Sequence, residues 1–374
     1  MIKCSYFPEC NACSDWDTPY SLHKDKKIAH LQHLLNENNL TADRIDFISA
    51  GEHSLRHKAD FVYQYKNTKS HFGFYTKNRD LIDIEHCLQM SPALQKAYDI
   101  FRSLEIKVKD TFIKKGSVRL RVNPKNQFGC WLDFSNIDIK LLLDDGVYFK
   151  HLLQKNFKIE VGQRKKQVTQ EPDGSLKLKY LPPELWFQSF DQYGKPIDIN
   201  CHISSFTQPS WISGQKLIES IQPWLFTHES GLNILEFGSG VGFFTAFFLS
   251  AGHKVTALEI EESAFECLKA NIPNNIPDSH LNVITADFHR TQFSPKTNID
   301  IAFVNPARAG FKEFYNSLLQ IKSEKIIYVS CFPESMANDL KNISKDYKLR
   351  NIIIVDQFPQ TRHYETCVFL EKLL

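Results

Sequence analysis

No stretch of this chain approaches the roughly 20 consecutive apolar residues that a membrane-spanning helix requires. Its opening residues, MIKCSYFPEC, lack the apolar run of a signal peptide. A cytoplasmic protein without membrane association is therefore expected. Charge of one sign is lacking too: 45 basic residues against 43 acidic ones leave a net charge of +2, a balance that neither demands nor excludes a nucleic-acid partner. Internal repeats and low-complexity tracts are absent, which leaves ordinary globular domains. Nothing calls for an obligate protein partner, and a monomer is expected.

What is present is enough material for two or three domains: 374 residues, 42% hydrophobic and 24% charged. From about residue 206 onward, short apolar runs at 233–235, 254–258, 281–284, 299–304, 325–329 and 351–355 alternate with segments of helical length such as 262–271 and 333–343. That alternation predicts βαβ units and a mostly parallel sheet with helices on both faces. The first half differs. Ile28, Leu31, Leu34 and Leu35 share one helical face, after which alternation of period 2 takes over: Phe61, Tyr63, Tyr65; Val118, Leu120, Val122 interleaved with Arg119 and Arg121; Leu176, Leu178 interleaved with Lys177 and Lys179. An antiparallel β-rich domain with one wet, basic face is the expectation. The expected division is residues 1–45 for a cysteine-bearing segment and helix, 46–205 for the β-rich domain and 206–374 for the α/β domain, the last boundary falling between Gly194 and Ser210.

Lysines and arginines gather in the first half, at Lys24, Lys26 and Lys27, at Arg56 and Lys58, at Lys114, Lys115, Arg119 and Arg121, and at Arg164, Lys165 and Lys166. A phosphate-binding face and ordinary solvated charge are both open readings.

The segment Ile234-Leu235-Glu236-Phe237-Gly238-Ser239-Gly240-Val241-Gly242 reads as a strand entering a glycine-rich turn and then a helix. Glycine lets the backbone approach a ligand closely there. Glu236 precedes the turn, and Glu259 ends the following strand about twenty residues on, where a carboxylate can take both ribose hydroxyls of an adenosine. A dinucleotide fingerprint would need G-x-G-x-x-G, and here the third glycine comes one position early. S-adenosylmethionine is therefore the expected ligand; the plain alternative for Glu259 is a cap on the next helix. Asp287 ends a third strand, facing either an adenine or nothing but its own turn.

The strand at 299–304 runs into Asn305-Pro306-Ala307-Arg308-Ala309-Gly310. An amino-group methyltransferase would carry an aromatic residue here to stack on its target, and its absence argues against N-methylation. The next strand delivers Cys331 to the same edge. A lone cysteine after a strand is usually a small buried residue. Carbon 5 of a pyrimidine, however, becomes nucleophilic only after a thiolate adds to carbon 6, and a base must later remove the carbon-5 proton. One cysteine, one base and one methyl donor on one rim satisfy that chemistry. Glu365, in His363-Tyr364-Glu365-Thr366, is offered as the base, with a salt-bridged surface glutamate as the alternative. Cys4-x5-Cys10-x2-Cys13 with the distant Cys87 supplies four further thiols, able to hold zinc or an iron–sulfur cluster. A single C-x2-C pair with two separate cysteines favours iron–sulfur over a zinc ribbon. The spacing is wrong for the C-x3-C-x2-C of radical enzymes.

The order of Gln208, glycine loop, N-P-A-R, S-C and H-Y-E resembles the RNA 5-methyluridine methyltransferase family along almost the whole chain. The resemblance implies a Rossmann-like S-adenosylmethionine-dependent methyltransferase domain at the C-terminus and an N-terminal and central RNA-binding domain carrying a 4Fe-4S cluster on Cys4, Cys10, Cys13 and Cys87. It implies Cys331 as nucleophile, Glu365 as base, and cofactor contacts from Gln208, Gly238, Glu259 and Asn305. Departures are the glycine loop, which reads Glu236-Phe237-Gly238-Ser239-Gly240 where the family usually has L-F-C-G-x-G, Phe332 where asparagine usually follows the cysteine, and Asn305 where many members have aspartate. Leu55-Arg56-His57-Lys58 looks like the stretch that opens a strand of the family's RNA-binding domain. The branch acting on uracil 747 of 23S rRNA is the nearest, since no N-terminal β-barrel precedes the cysteines as in the uracil-1939 branch, and the bacterial tRNA uracil-54 branch lacks them. A flipped uridine in folded RNA would be the substrate. Another rRNA or tRNA uridine, or a catalytically silent RNA-binding factor, are the alternatives; retention of both Cys331 and Glu365 speaks against the last.

Overall fold

The computed structural model describes residues 2–108, 111–134, 139–162, 164–225, 231–272, 277–287, 298–311 and 315–373. These form two compact units that interleave along the chain. One holds Met1–Asp17, His53–Phe187 and Cys201–Ser205, and the other Thr18–Glu52, Gln188–Asn200 and Phe206–Leu374. Among the described residues, no helix is long and apolar enough to cross a membrane.

The second unit is built on an eight-stranded sheet in the order Arg44–Ser49, Tyr347–Asp356, Glu365–Lys372, Lys325–Ser330, Ile301–Val304, Asn233–Phe237, Lys254–Glu259, Leu281–Thr285. All neighbours pair in parallel except Glu365–Lys372, which runs antiparallel to both of its neighbours. Every residue of Ile301–Val304 is buried, as are the last five of Lys325–Ser330, the continuous burial of strands covered on both faces. Leu235, Val304, Tyr328 and Ile354 share a core with Leu31 and Leu35 of the helix His23–Glu37 and with Met336 and Leu340 of the helix Pro333–Ile343. On the other face Phe303 meets Phe244 and Phe248 of the helix Phe243–Ser250, and Phe369 stacks on Trp224 of the helix Trp211–Leu225.

The helix His23–Glu37 thus belongs with the α/β unit rather than with the cysteines before it. Its apolar face (Leu31, Leu34, Leu35) is buried, each leucine worth about 1.5–3 kcal/mol, and the strand after it caps the sheet edge. The units therefore do not follow the division at residues 45 and 205.

The first unit carries a second eight-stranded sheet, ordered Leu176–Tyr180, Lys166–Gln170, Phe157–Val161, Phe128–Phe134, Lys115–Val122, Lys58–Lys66, Lys69–Tyr75, Leu81–Asp83. Its pairs are antiparallel except that between Phe128–Phe134 and Phe157–Val161. Phe61 and Tyr63 point into its core, so they are packing residues. The expected wet, basic face holds only in part. Arg121 is 1% exposed and donates to the carbonyls of His202 and Ile203, while Arg119 pairs with Asp60 and donates to the carbonyl of Ser204. The segment Cys201–Ser205 covers these guanidinium groups and takes up their donors, so neither is a solvated phosphate ligand. Lys27 leaves the basic set as well: it is 4% exposed and ion-paired with Asp356.

Candidate active site and cofactor loop

The parallel strands of the second unit all end on one edge. There Phe237 runs into Gly238, Val304 into Asn305, Ser330 into Cys331 and Asp356 into Gln357, and Glu259 is itself the last residue of its strand. Glu365 opens the antiparallel strand at that same edge, since Ser330 lies opposite Thr366 and Val355 opposite Glu365. The strand order reverses at Asn233–Phe237, which has the next strand in sequence on one side and Ile301–Val304 on the other. Open α/β sheets bind ligands in the crevice at such a reversal.

The cofactor loop is shaped by backbone that only glycine adopts freely: φ is 74° at Gly238, 56° at Gly240 and 89° at Gly242. Gly238 and Ser239 both donate to the carbonyl of Leu258, which folds the loop over the neighbouring strand. One Glu259 carboxylate oxygen accepts from the Gly240 N–H at 2.8 Å, and the other from the N–H groups of Ile260 and Glu261. Glu259 thus grips the glycine loop and braces the residues that lead into the helix Glu262–Ala270, which is close to the plain alternative of a helix cap. The space beyond Gly240 is empty where a side chain would stand, and the buried Ser239 hydroxyl has no partner among the described residues. A cradle with an unused donor and a fixed carboxylate fits an adenosine-bearing ligand. Glu236, fully buried under this loop, takes a 2.6 Å hydrogen bond from Thr245, and burial, reinforced by the charge of Glu259, holds its carboxyl at about 8. The Asn305 N–H donates to the carbonyl of Phe237 at 3.3 Å, joining the N-P-A-R turn to the cofactor strand. Asp287 lies two residues past Leu281–Thr285, at the same edge; Phe288 beside it is outside the described residues.

The charge of Glu365 acts on Cys331. Burial pushes the Cys331 thiol above its ordinary range, the Glu365 charge pushes it further, and a hydrogen bond from Arg308 pulls it back. Glu365 is 3% exposed. Burial carries its carboxyl to about 8, against the opposing pull of a hydrogen bond from Gln357 and the charge of Arg308. Gln357 Nε2 donates to Glu365 Oε2 and, at 3.1 Å, to Gln208 Oε1. Gln208, expected from sequence as a cofactor contact, is thereby linked to Glu365, the expected base, through one amide. The N-P-A-R turn is held beside Cys331 by Asp339 of the helix Pro333–Ile343, whose Oδ2 accepts from the Phe311 N–H and the Tyr328 hydroxyl, both at 2.7 Å. Sequence reasoning noted Arg308 only as the residue replacing an aromatic, and it missed Gln357 altogether. The one signal was the place of Gln357, directly after an apolar strand that ends on the ligand edge.

In the first unit Cys4, Cys10, Cys13 and Cys87 line one cavity with Tyr6 and Trp16, partly open to solvent. The thiols of Cys10, Cys13 and Cys87 each interact with others of the set. Among the described residues, no group of three or more histidine, cysteine or carboxylate side chains is placed to hold a metal ion.

Residues 187–373 match the family model for tRNA (uracil-5-)-methyltransferase. The chain is 34% identical to a Bdellovibrio bacteriovorus protein described as an uncharacterized RNA methyltransferase, over 99% of this chain and 95% of that protein. The chain belongs to the tRNA (uracil-5-)-methyltransferase family. It is 25% identical to a 23S rRNA (uracil(1939)-C(5))-methyltransferase of Marinomonas sp. (strain MWYL1), over 99% of this chain and 80% of that one. In fold it is similar to the Pyrococcus abyssi tRNA (uracil-54, C5)-methyltransferase crystallised with S-adenosyl-L-homocysteine, with a TM-score of 0.69 at 20% identity, over 97% of this chain and 86% of that chain. Family membership makes this an S-adenosylmethionine-dependent RNA uracil-C5 methyltransferase, as its motif order implied.

Proposed function

We propose that this methyltransferase acts through a covalent Cys331 adduct on a uridine of 23S rRNA, of the uracil-747 type, in the cytoplasm and as a monomer. The observation that carries the mechanism is the meeting of Cys331, Arg308, Glu365 and Gln357 at the strand-end edge that also holds the glycine loop. Arg308 favours the thiolate, which adds to carbon 6 of the base and leaves carbon 5 electron-rich. S-adenosylmethionine, held by Gln208, Gly238, Glu259 and Asn305, supplies an electrophilic methyl group when bound. Glu365 then takes the carbon-5 proton, the electrons of that bond form the carbon 5–carbon 6 double bond, and the Cys331 thiolate leaves.

The rRNA assignment is supported by the four-cysteine cavity, which we assign to a 4Fe-4S cluster on Cys4, Cys10, Cys13 and Cys87. Its role is a staple that ties the N-terminal segment to the β-rich sheet; no step of the reaction uses it. Relatives named for uracil 1939 of 23S rRNA and for tRNA uracil 54 make those sites the alternative outcomes.

The mechanism is tested with RNA carrying 5-fluorouridine at the target and labelled S-adenosylmethionine. A denaturant-stable protein–RNA complex is expected with the native enzyme and none with Cys331→Ala. Methylation that survives Cys331→Ala refutes it. Mapping 5-methyluridine in total RNA from a deletion strain names the site. Iron analysis and visible absorption of anaerobically purified protein test the cluster, which a colourless, zinc-loaded protein would exclude.

A further inference from the structure

Gln357 is 3% exposed, and the chemistry so far gives it no role. It follows the strand Tyr347–Asp356 and its N–H donates to the carbonyl of Val355 at 3.0 Å, so its backbone is fixed at the strand end. Both hydrogen bonds of its amide leave from the nitrogen, one to Gln208 Oε1 and one to Glu365 Oε2. Its Oε1 is buried without a partner among the described residues. A buried amide that spends both N–H groups on acceptors and leaves its oxygen unused is oriented by those acceptors. The one it serves most directly is a carboxylate, for which a donated hydrogen bond favours the charged form. The groups facing Glu365 from the surrounding elements are Arg308 of the N-P-A-R turn, the Cys331 thiol at the neighbouring strand end and the Cys367 thiol on its own strand. Arg308 shares its favour with Cys331. The Gln357 amide is committed to Glu365 and Gln208.

We infer that Gln357 is a positioning residue for proton removal: it holds Glu365 as an oriented carboxylate and ties it to Gln208 in the segment that contacts the methyl donor. This rests on the reading of Cys331 as nucleophile and Glu365 as base. The step it serves is the last one, in which a Glu365 oxygen takes the carbon-5 proton, the freed pair forms the ring double bond and the carbon–sulfur bond breaks towards Cys331. Without the amide, Glu365 keeps its own proton to higher pH, and the methylated adduct waits on the enzyme. Addition and methyl transfer precede that step and continue.

The test uses the full-length enzyme, unmodified RNA substrate and labelled S-adenosylmethionine. Gln357→Met keeps the side-chain length and removes the donor. At pH 7 it is expected to lower turnover about tenfold or more, the effect of losing one hydrogen bond to a charged group. It should also accumulate a denaturant-stable, methyl-labelled protein–RNA adduct and move the acid limb of the pH–turnover profile about one unit upward, so that about half of the activity returns at pH 9 and most of it only near pH 10. Gln357→Asn, which keeps an amide but shortens its reach, should give a smaller shift of the same sign and serves if the Met variant does not fold. Turnover like the native enzyme, or a loss equal at every pH without adduct, overturns the inference. Glu365→Gln separates the two layers. If it stalls as a methylated adduct while both Gln357 variants behave as the native enzyme, only the role of Gln357 fails; if it turns over normally, the assignment of the base fails.

Discussion

Lys27 and Asp356 stand 329 residues apart in the chain and 2.7 Å apart in the fold, both nearly excluded from solvent. Lys27 also donates to the carbonyls of Phe358 and His363, and the Tyr20 hydroxyl donates to the other Asp356 oxygen. One ammonium therefore fixes both ends of the loop at 357–363, which carries Gln357 at its start and leads into Glu365. Lys27→Met should strand a buried carboxylate and cost about 3–5 kcal/mol, measured as a fall in denaturation midpoint. Pairing it with Asp356→Asn should restore a substantial part of that loss, which a mere loss of methylene packing would not allow.

Arg308 is the group that draws the Cys331 thiol down against burial and the Glu365 charge. Arg308→Leu should leave the thiol protonated to higher pH. Trapping on 5-fluorouridine RNA is then expected to slow about tenfold at neutral pH, with its pH limb displaced upward and the final trapped fraction unchanged. A rate reduced equally at all pH values would assign Arg308 to RNA binding instead.

Gly310 closes the N-P-A-R turn at φ 69°, and a methyl group on it would lie 2.5 Å from Asp339 Oδ2. That carboxylate is already engaged by Phe311 and Tyr328. Gly310→Ala combines a left-handed backbone with a steric clash and should cost about 2–3 kcal/mol. Methyl transfer should fall with it, because the same turn bears Arg308 and Asn305.

Glu236 carries a pH signature of its own. Its carboxyl, ordinarily near 4.5, is held at about 8 in the fold by burial. The folded protein keeps a proton that the unfolded chain releases, so this contribution to stability is full below pH about 4.5 and is lost as pH rises through about 8. Glu236→Gln should flatten the dependence of melting temperature on pH in that window. At pH 9 it should melt roughly 2–4 °C above the native protein, as read by scanning fluorimetry from pH 5 to 9.

Much of the catalytic unit was legible because a parallel sheet writes its ligand edge into the sequence. Each residue expected there (Gly238, Glu259, Asn305, Cys331) sits at or just after the end of an apolar run, and strand ends are visible to pattern reading. Gln357 obeys the same rule but belongs to no motif, so its position gave no reason to single it out. Lys27 was misread for a physical reason: a lysine next to Lys24 and Lys26 looks solvated, and only the fold reveals the carboxylate that takes it inside. Arg121 went the same way, since alternation along Lys115–Val122 indicates which side chains share a face but not that Cys201–Ser205 lies over them. The interleaved units escaped notice because strand Arg44–Ser49 finds its partner some 300 residues later, at Asn351–Asp356, a pairing that no local period encodes.

That edge strand sets the order of events during synthesis. Arg44–Ser49 leaves the ribosome early, yet the strand it pairs with, Tyr347–Asp356, is made almost last. The α/β unit therefore cannot close until translation is nearly complete. Contacts of such high sequence separation slow folding and lengthen exposure of unpaired strand edges. A fragment beginning at residue 206 would keep every expected catalytic side chain, but it would leave Tyr347–Asp356 as a bare apolar edge and Asp356 without its lysine, and so it should associate with copies of itself rather than fold as an independent enzyme.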